Sequence, residues 1–476
     1  MKTIFFRSAT LLALGLTLGS GLTSCEKQLD LDPYQSVDAA TALNTQDKVG
    51  SAVIGLYSQL DDPSLYGTDL ILVPELLGAD NYITFQGTFT NYRQLTARTT
   101  NALNSSAEAI WREAYQEINQ TNLVIDALPV VTDPTLKATY EGEARFVRAL
   151  MYYNLVNLYA QQYVAGGTNT QLGVPISLVP VKSLQEASVL GTRATVAQVY
   201  SQILTDLTQA AQLLPTANGV RATRYTAQAL QARVYLQQGN YTAAATAANS
   251  VIANSRKALS PTLQAVFTNR NSSETLLEIQ QNEQNNAGTS NSGLATLFAS
   301  IGQLGRGDVA VQSTFANQYS TADARGRAQL LYVGTGARAG SLRSGKWTTY
   351  GQNIPVIRLA EMYLIRAEAA LQAGNRSSAL ADVNIVRQRS SATPLTDAEL
   401  TQQAILRERQ LELAFEGFRI YDLKRTNTDL VRTVTDEDGN PRNVVTPITN
   451  NLLTLPIPQR EINVNAQLVQ NPGYGG

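Results

Sequence analysis

The densest group of side chains able to do chemistry lies near the C-terminus. Glu408, Glu412, Glu416 and Asp422 fall within one short segment, and two acids roughly 5–10 Å apart could hydrolyse a glycosidic bond. Their setting favours another role. Three of them recur every four residues among Arg407, Arg409 and Arg419, a spacing that predicts an ion-paired helix face. Composition closes off much of the remaining catalytic chemistry. The 476 residues include no histidine and one cysteine, which excludes Ser-His-Asp and Cys-His catalysis, imidazole-held metals and thiolate clusters. What survives is carboxylate chemistry, oxygen-ligated cations, or binding without turnover.

Phosphate and cation motifs do not hold up. Gly340 to Lys346 fit the first seven positions of a P-loop, but Trp347 stands where a hydroxyl must ligand magnesium. Asp436 to Asn440 match only part of a calcium loop and read as a solvated turn. Arg306-Gly307-Asp308 is a tripeptide common by chance. No metal site and no cofactor are called for. The net charge of −1, from 37 basic and 38 acidic residues, gives no electrostatic footprint for nucleic acid.

Binding groups concentrate in an irregular stretch, residues 78–101. Tyr82, Phe85, Phe89 and Tyr92 offer rings that could stack on the C–H faces of sugars. Asp80, Asn81 and Arg93 offer groups that bond hydroxyls. Asp80, Asn81, Tyr82, Tyr92 and Arg93 are therefore the candidate ligand contacts. A loop folded onto its own cluster is the structural alternative. A second irregular stretch, residues 282–350, is rich in Asn, Gly, Ser and Thr, and such loops on a rigid frame are where binding residues tend to sit.

The elements that must position these loops are mainly helical. Ser105 and Glu108 have capping-box spacing. Ile110, Trp111, Ala114, Tyr115, Ile118, Asn122 and Ile125 then trace one face, ending at Leu128-Pro129. Asp133-Pro134 opens the next helix. Further on, Ala232 to Tyr241 and Ala367 to Arg376 repeat Ala, Leu, Gly and Asn at one offset. Each copy predicts two helices joined at Gly-Asn, similar to a tetratricopeptide helix pair. Such units are expected near 105–161, 195–254 and 355–390, with a loop-rich insert at about 261–350, in one body spanning 46–476.

The N-terminus carries a targeting signal. Lys2 and Arg7 precede an apolar run from Ala9 to Leu18, the size of a signal-peptide core and too short to span a bilayer. Leu22-Thr23-Ser24-Cys25 follows, the pattern of lipoprotein cleavage and acylation at Cys25. Removing residues 1–24 takes Lys2 and Arg7 and no acid, leaving a charge of −3. Residues 25–45 read as an extended tether, and the lipid as the membrane anchor.

Together these motifs resemble the SusD/RagB family of outer-membrane nutrient-binding lipoproteins. The likeness runs through Leu29-Asp30-Leu31-Asp32-Pro33, residues 110–122, Gly142 to Leu150, Gly173-Val174-Pro175-Ile176 and Arg358 to Ala369. It is strongest from Arg407 to Arg425 and from Leu455 to Asn463, and closes at Asn471-Pro472-Gly473-Tyr474. The resemblance implies a mainly α fold of tetratricopeptide-like helix pairs with a looped, ligand-facing subdomain. It also implies surface display in the outer membrane and a SusC-like TonB-dependent transporter as partner. The cargo it implies is an oligosaccharide glycan, or in some members a peptide. The shared motifs are structural, and none identifies a binding residue. A surface glycosidase and a tetratricopeptide scaffold for protein segments are the other classes weighed.

Overall fold

The computed structural model describes residues 42–187, 191–436 and 438–475. Cys25, the segment 1–24 and most of the tether lie outside the described residues. The described body is mainly helical. It begins with α1 (Gln46–Gln59), α2 (Asp69–Leu77), β1 (Ile83–Phe85), α3 (Thr90–Ala97), α4 (Ser105–Asp126) and α5 (Pro134–Tyr159). Asp133 caps α5 by accepting from the Thr135 and Leu136 N–H groups, and Pro134 takes the first turn, where its missing N–H costs nothing. The cap of α4 falls one residue earlier than Ser105. Asn104 accepts from the Ala107 N–H at 3.1 Å. Its amide also donates to Asn91 O and Gln94 Oε1 on α3, a tertiary tie that local spacing does not show.

The chain continues through α6 (Val196–Leu213), α7 (Arg224–Gln237), α8 (Tyr241–Asn254), β2 (Thr275–Ile279), β3 (Val309–Val311), β4 (Leu331–Val333), β5 (Leu342–Ser344) and β6 (Ile354–Arg358). Then come α9 (Leu359–Gln372), α10 (Arg376–Arg389), α11 (Gln402–Leu413), α12 (Arg419–Arg425), β7 (Leu430–Thr435) and β8 (Pro441–Thr446), with shorter helical turns between.

Helices α4 to α10 pack each on the next, so no unit buries its apolar face alone. The sequence repeat is α7–α8 and α9–α10. Gly239 and Gly374 close the first helix of each pair at φ +70° and +78°, a region that a side chain would strain. Asn240 and Asn375 then cap the second helix by accepting from Ala243 N and Ser378 N, both at 3.2 Å. Ala360, Leu364 and Ala367 on α9 meet Ala379, Val383 and Val386 on α10, all fully buried. The alanines let the backbones approach, while each buried Leu or Val contributes about 1.5–3 kcal/mol.

Buried ion pairs fix the helices in register. Arg148 on α5 grips Asp206 on α6 through two bonds of 2.6 and 2.9 Å and donates a third to Asn122 on α4. Arg233 on α7 holds Glu361 on α9 at 2.7 and 2.8 Å. The strands are short antiparallel pairs set into this frame: β1 with β3, β2 with β6, β4 with β5, and the β7–β8 hairpin. The stretch 78–101 is therefore more regular than its composition predicts, containing β1 and α3. Among the described residues, no helix is long and apolar enough to cross a membrane.

Candidate functional site

Of the four C-terminal acids, Glu408, Glu412 and Glu416 lie in the interior and Asp422 is half-buried. Glu408 and Glu412 sit on α11, and Glu416 follows it; Glu408 and Glu412 are fully buried. Their partners come chiefly from outside the segment. Arg325 reaches Glu408 at 2.5 Å and Glu412 at 3.1 Å. Arg358 reaches Glu412 at 2.6 Å, Glu416 at 2.7 Å and Glu274 at 2.8 Å. Arg389 bridges Glu274 and Glu412, Arg387 binds Glu408, and Lys346 binds Glu416 at 2.5 Å. With Asp323 on Arg325, five acids face five bases. The acids are ion-paired as expected, but in a buried tertiary network instead of with Arg407, Arg409 and Arg419 along one helix face. Arg407 is exposed and takes no part. Lys346, the lysine of the rejected P-loop pattern, also donates to the carbonyls of Glu412 and Ala414.

The five candidate contacts fall into three places. Tyr82 and Tyr92 are core residues, 1% and 7% exposed. Tyr82 stacks parallel on Phe415 at 5.3 Å, meets Phe315 edge-on, and accepts the Phe415 N–H at 2.7 Å. Tyr92 packs against Phe85 and Phe89 and donates to Asp69 at 2.7 Å. Neither ring has a free face for a sugar. The expectation of stacking there is corrected, because β1 and α3 turn both rings inward.

Asp80 and Asn81 line a groove of about 270 Å³ with Gln312, Arg432 and Thr433. Their polar atoms are already engaged. Arg98 binds Asp80 at 2.5 Å, and Asn81 exchanges two hydrogen bonds with Thr433 on β7. Asn81 itself sits at φ +52°, a conformation that asparagine tolerates.

Arg93 is exposed and belongs to a different surface. Pairing of β1 with β3, Ile83 opposite Val311 and Phe85 opposite Val309, sutures the two irregular stretches together. Phe89 and Arg306 meet at that seam. Arg306 lies 4.5 Å over the half-buried Phe89 ring and donates to Asn291 Oδ1 and Thr88 Oγ1. Arg306 also pairs with Asp308 at 3.1 Å, and Arg338 approaches the same acid at 3.7 Å. Arg93 donates Nε to the Gly87 carbonyl at 2.7 Å. Burial pushes the Asp308 carboxyl up, and Arg306, Arg338 and Arg343 pull it back.

This surface presents a ring, guanidinium groups and amides side by side, with its one acid held beneath by arginine. That chemistry suits hydrogen bonding to a hydroxyl-rich ligand. Sequence reasoning named Phe89 and the Asn-rich loop but passed over Arg306 and Arg338. Only the β1–β3 register reveals that Arg306 reaches Phe89. Among the described residues no cluster of His, Cys, Asp or Glu could hold a metal ion.

Comparison with known proteins places this architecture. Residues 332–474 match the model of the SusD family, and residues 27–236 match a model described as starch-binding, associating with the outer membrane. SusD-like protein P25 of Formosa agariphila is 25% identical over 95% of this chain and 97% of its own. The starch-binding protein SusD of Bacteroides thetaiotaomicron is 35% identical, over 26% of this chain and 22% of its own. A solved SusD superfamily structure from Bacteroides thetaiotaomicron superposes with a TM-score of 0.79 at 26% identity, covering 90% of this chain and all of that one. With the helix pairs, the sutured loops and both family models in agreement, the chain belongs to the SusD/RagB family.

Proposed function

We propose that the protein is a surface lipoprotein that captures oligosaccharide at the Phe89–Arg306 surface and passes it to a SusC-like TonB-dependent transporter. The observation that carries the reading is the β1–β3 suture, which joins two otherwise distant loops into one polar, ring-bearing face. The family description as starch-binding and outer-membrane-associated supports the cargo and the location. Binding proceeds without turnover: the acids of the C-terminal motif are consumed by arginines, and Asp308 is held by two more. Affinity falls in the micromolar to millimolar range, because exposed polar contacts exchange with water at little net gain.

A glycan array, followed by calorimetry with its strongest ligand, tests the reading. Phe89→Ala should weaken that ligand about five- to tenfold, the worth of one ring contact. Unchanged affinity would remove Phe89 from the site, and peptides found in material co-purifying with the transporter would sink the glycan cargo.

The anchor is tested separately. Cys25→Ala should release the protein from the membrane fraction, since the thiol and the new amino group at Cys25 are the only attachment proposed. Retention in membranes after that change would overturn lipidation at this residue.

A further inference from the structure

A cleft of about 330 Å³ lies beside α11 and α12, lined by residues that the loop surface does not use. Arg407, Arg409 and Arg419 face it, with Gln402, Gln410 and Thr426 among the other lining groups. Two of the three guanidinium groups, Arg407 and Arg419, make no ion pair among the described residues. Arg409 is 2% exposed and engaged: Nε donates to Asp422 at 2.9 Å, Nη2 lies 3.6 Å from Glu361, and the group sits 5.3 Å over the Phe418 ring. Among the described residues Arg419 has no carboxylate within ion-pair distance and no hydrogen-bond partner at its buried Nε, though it lies 5.7 Å from the centre of the Tyr82 ring. Burial pushes the Arg419 guanidinium below its usual range, and Tyr82, Glu75, Asp422 and Asp80 nearby offset only part of that. Arg407 is exposed, with no ion-pair partner among the described residues.

The acids in the lining make no ion pair with Arg419 and are engaged elsewhere. Asp422 is shared between Arg409 and Arg425. Glu75 turns Oε1 to the N–H groups of Gly417 and Phe418 at 2.7 and 2.9 Å. Its Oε2 is unpartnered, and burial pushes this carboxyl up, toward the neutral form.

The exposed Arg407 and the half-buried Arg419, neither ion-paired among the described residues, offer guanidinium forks that match a planar carboxylate. Side-chain amides and hydroxyls beside them match sugar hydroxyls, each giving and accepting hydrogen bonds. The volume is at the lower bound of small-molecule sites, about 300 Å³, the scale of one sugar residue and larger than a bare inorganic anion needs. We infer that this cleft binds a uronate residue, its carboxylate on Arg407 and Arg419 and its hydroxyls on the glutamines and threonine. The site is separate from the Phe89 surface and stands or falls without it.

Calorimetry on the detergent-solubilised full-length protein tests this, with sodium glucuronate, glucose, sodium sulfate and sodium phosphate as separate probes. Glucuronate should saturate at millimolar concentration and glucose should not bind. Arg419→Gln should weaken glucuronate about tenfold or more, and Arg407→Gln several-fold. Should Arg419→Gln fail to fold by thermal melting, the exposed Arg407 carries the test. The inference is overturned by no saturable glucuronate binding up to ~50 mM, by unchanged affinity in the folded variants, or by sulfate or phosphate binding as tightly as glucuronate.

Discussion

Glu412→Gln should destabilise the protein by about 3–5 kcal/mol, the cost of breaking a buried pair and stranding its partners. Glu412 Oε1 accepts from Arg358 at 2.6 Å and from Arg389, while Oε2 accepts from Arg325 at 3.1 Å. An amide cannot serve both sides. Whichever way it is turned, its NH2 group faces at least one guanidinium, and three buried cations lose their shared anion. Burial alone would push the Glu412 carboxyl up, but Arg389, Arg358 and Arg325 overcome it and hold the group well below its usual range.

The pH dependence follows from that direction. A carboxyl with a depressed folded pKa contributes stability that is fully present above its ordinary value of 4.5 and is lost as pH falls. The wild-type advantage over Glu412→Gln should therefore be flat from pH 6 to 8 and shrink in acid. Urea denaturation gives both numbers. Glu283→Gln, at an exposed acid, should stay within about 0.5 kcal/mol of wild type and serves as the control. A loss at Glu412 no larger than that would mean the network is not needed to hold α11, β6 and α10 together.

The same network marks where sequence reading stops. The four-residue spacing of Glu408, Glu412 and Glu416 correctly signals ion pairing, yet spacing speaks only about neighbours on one helix. Arg325, Arg358, Arg387 and Arg389 arrive from β6, α10 and the loop-rich insert, and no local pattern names them. Features encoded within a few residues were legible: the Asp133-Pro134 cap, the two Gly-Asn turns, the apolar face of α4 carrying Trp111. Features that depend on distant pairing were not. Tyr82 looks like a loop aromatic until β1 meets β3, which sets its carbonyl on the Gln312 N–H and its ring against Phe315; Tyr92 is turned inward by α3, onto Phe85 and Asp69. Arg306 looks like part of a chance tripeptide until the same pairing sets it over Phe89. One long-range strand register thus removed one candidate residue and supplied another.

Lys424 is the second group whose substitution should have a large effect, and its effect should depend on pH. It is 3% exposed on α12 and donates to Asn157 O at 3.1 Å and Thr454 Oγ1 at 3.3 Å, both neutral acceptors. With no anion against it among the described residues, burial pulls the ammonium down from 10.5 to about 7. Between those values the unfolded chain keeps a proton that the folded chain has released. Folding is thus favoured as pH rises through that window, and the full burial penalty applies below it. At about 1.4 kcal/mol per pH unit for one proton, the wild type should gain about 2 kcal/mol on Lys424→Met between pH 7 and pH 9. Methionine fills a similar volume and does not titrate, so the difference between the two profiles isolates the lysine from the tyrosines and carboxyls that titrate in both. Parallel urea-unfolding profiles over that range would show that Lys424 keeps its charge in the fold. In that case a further acceptor, beyond Asn157 and Thr454, must hold it.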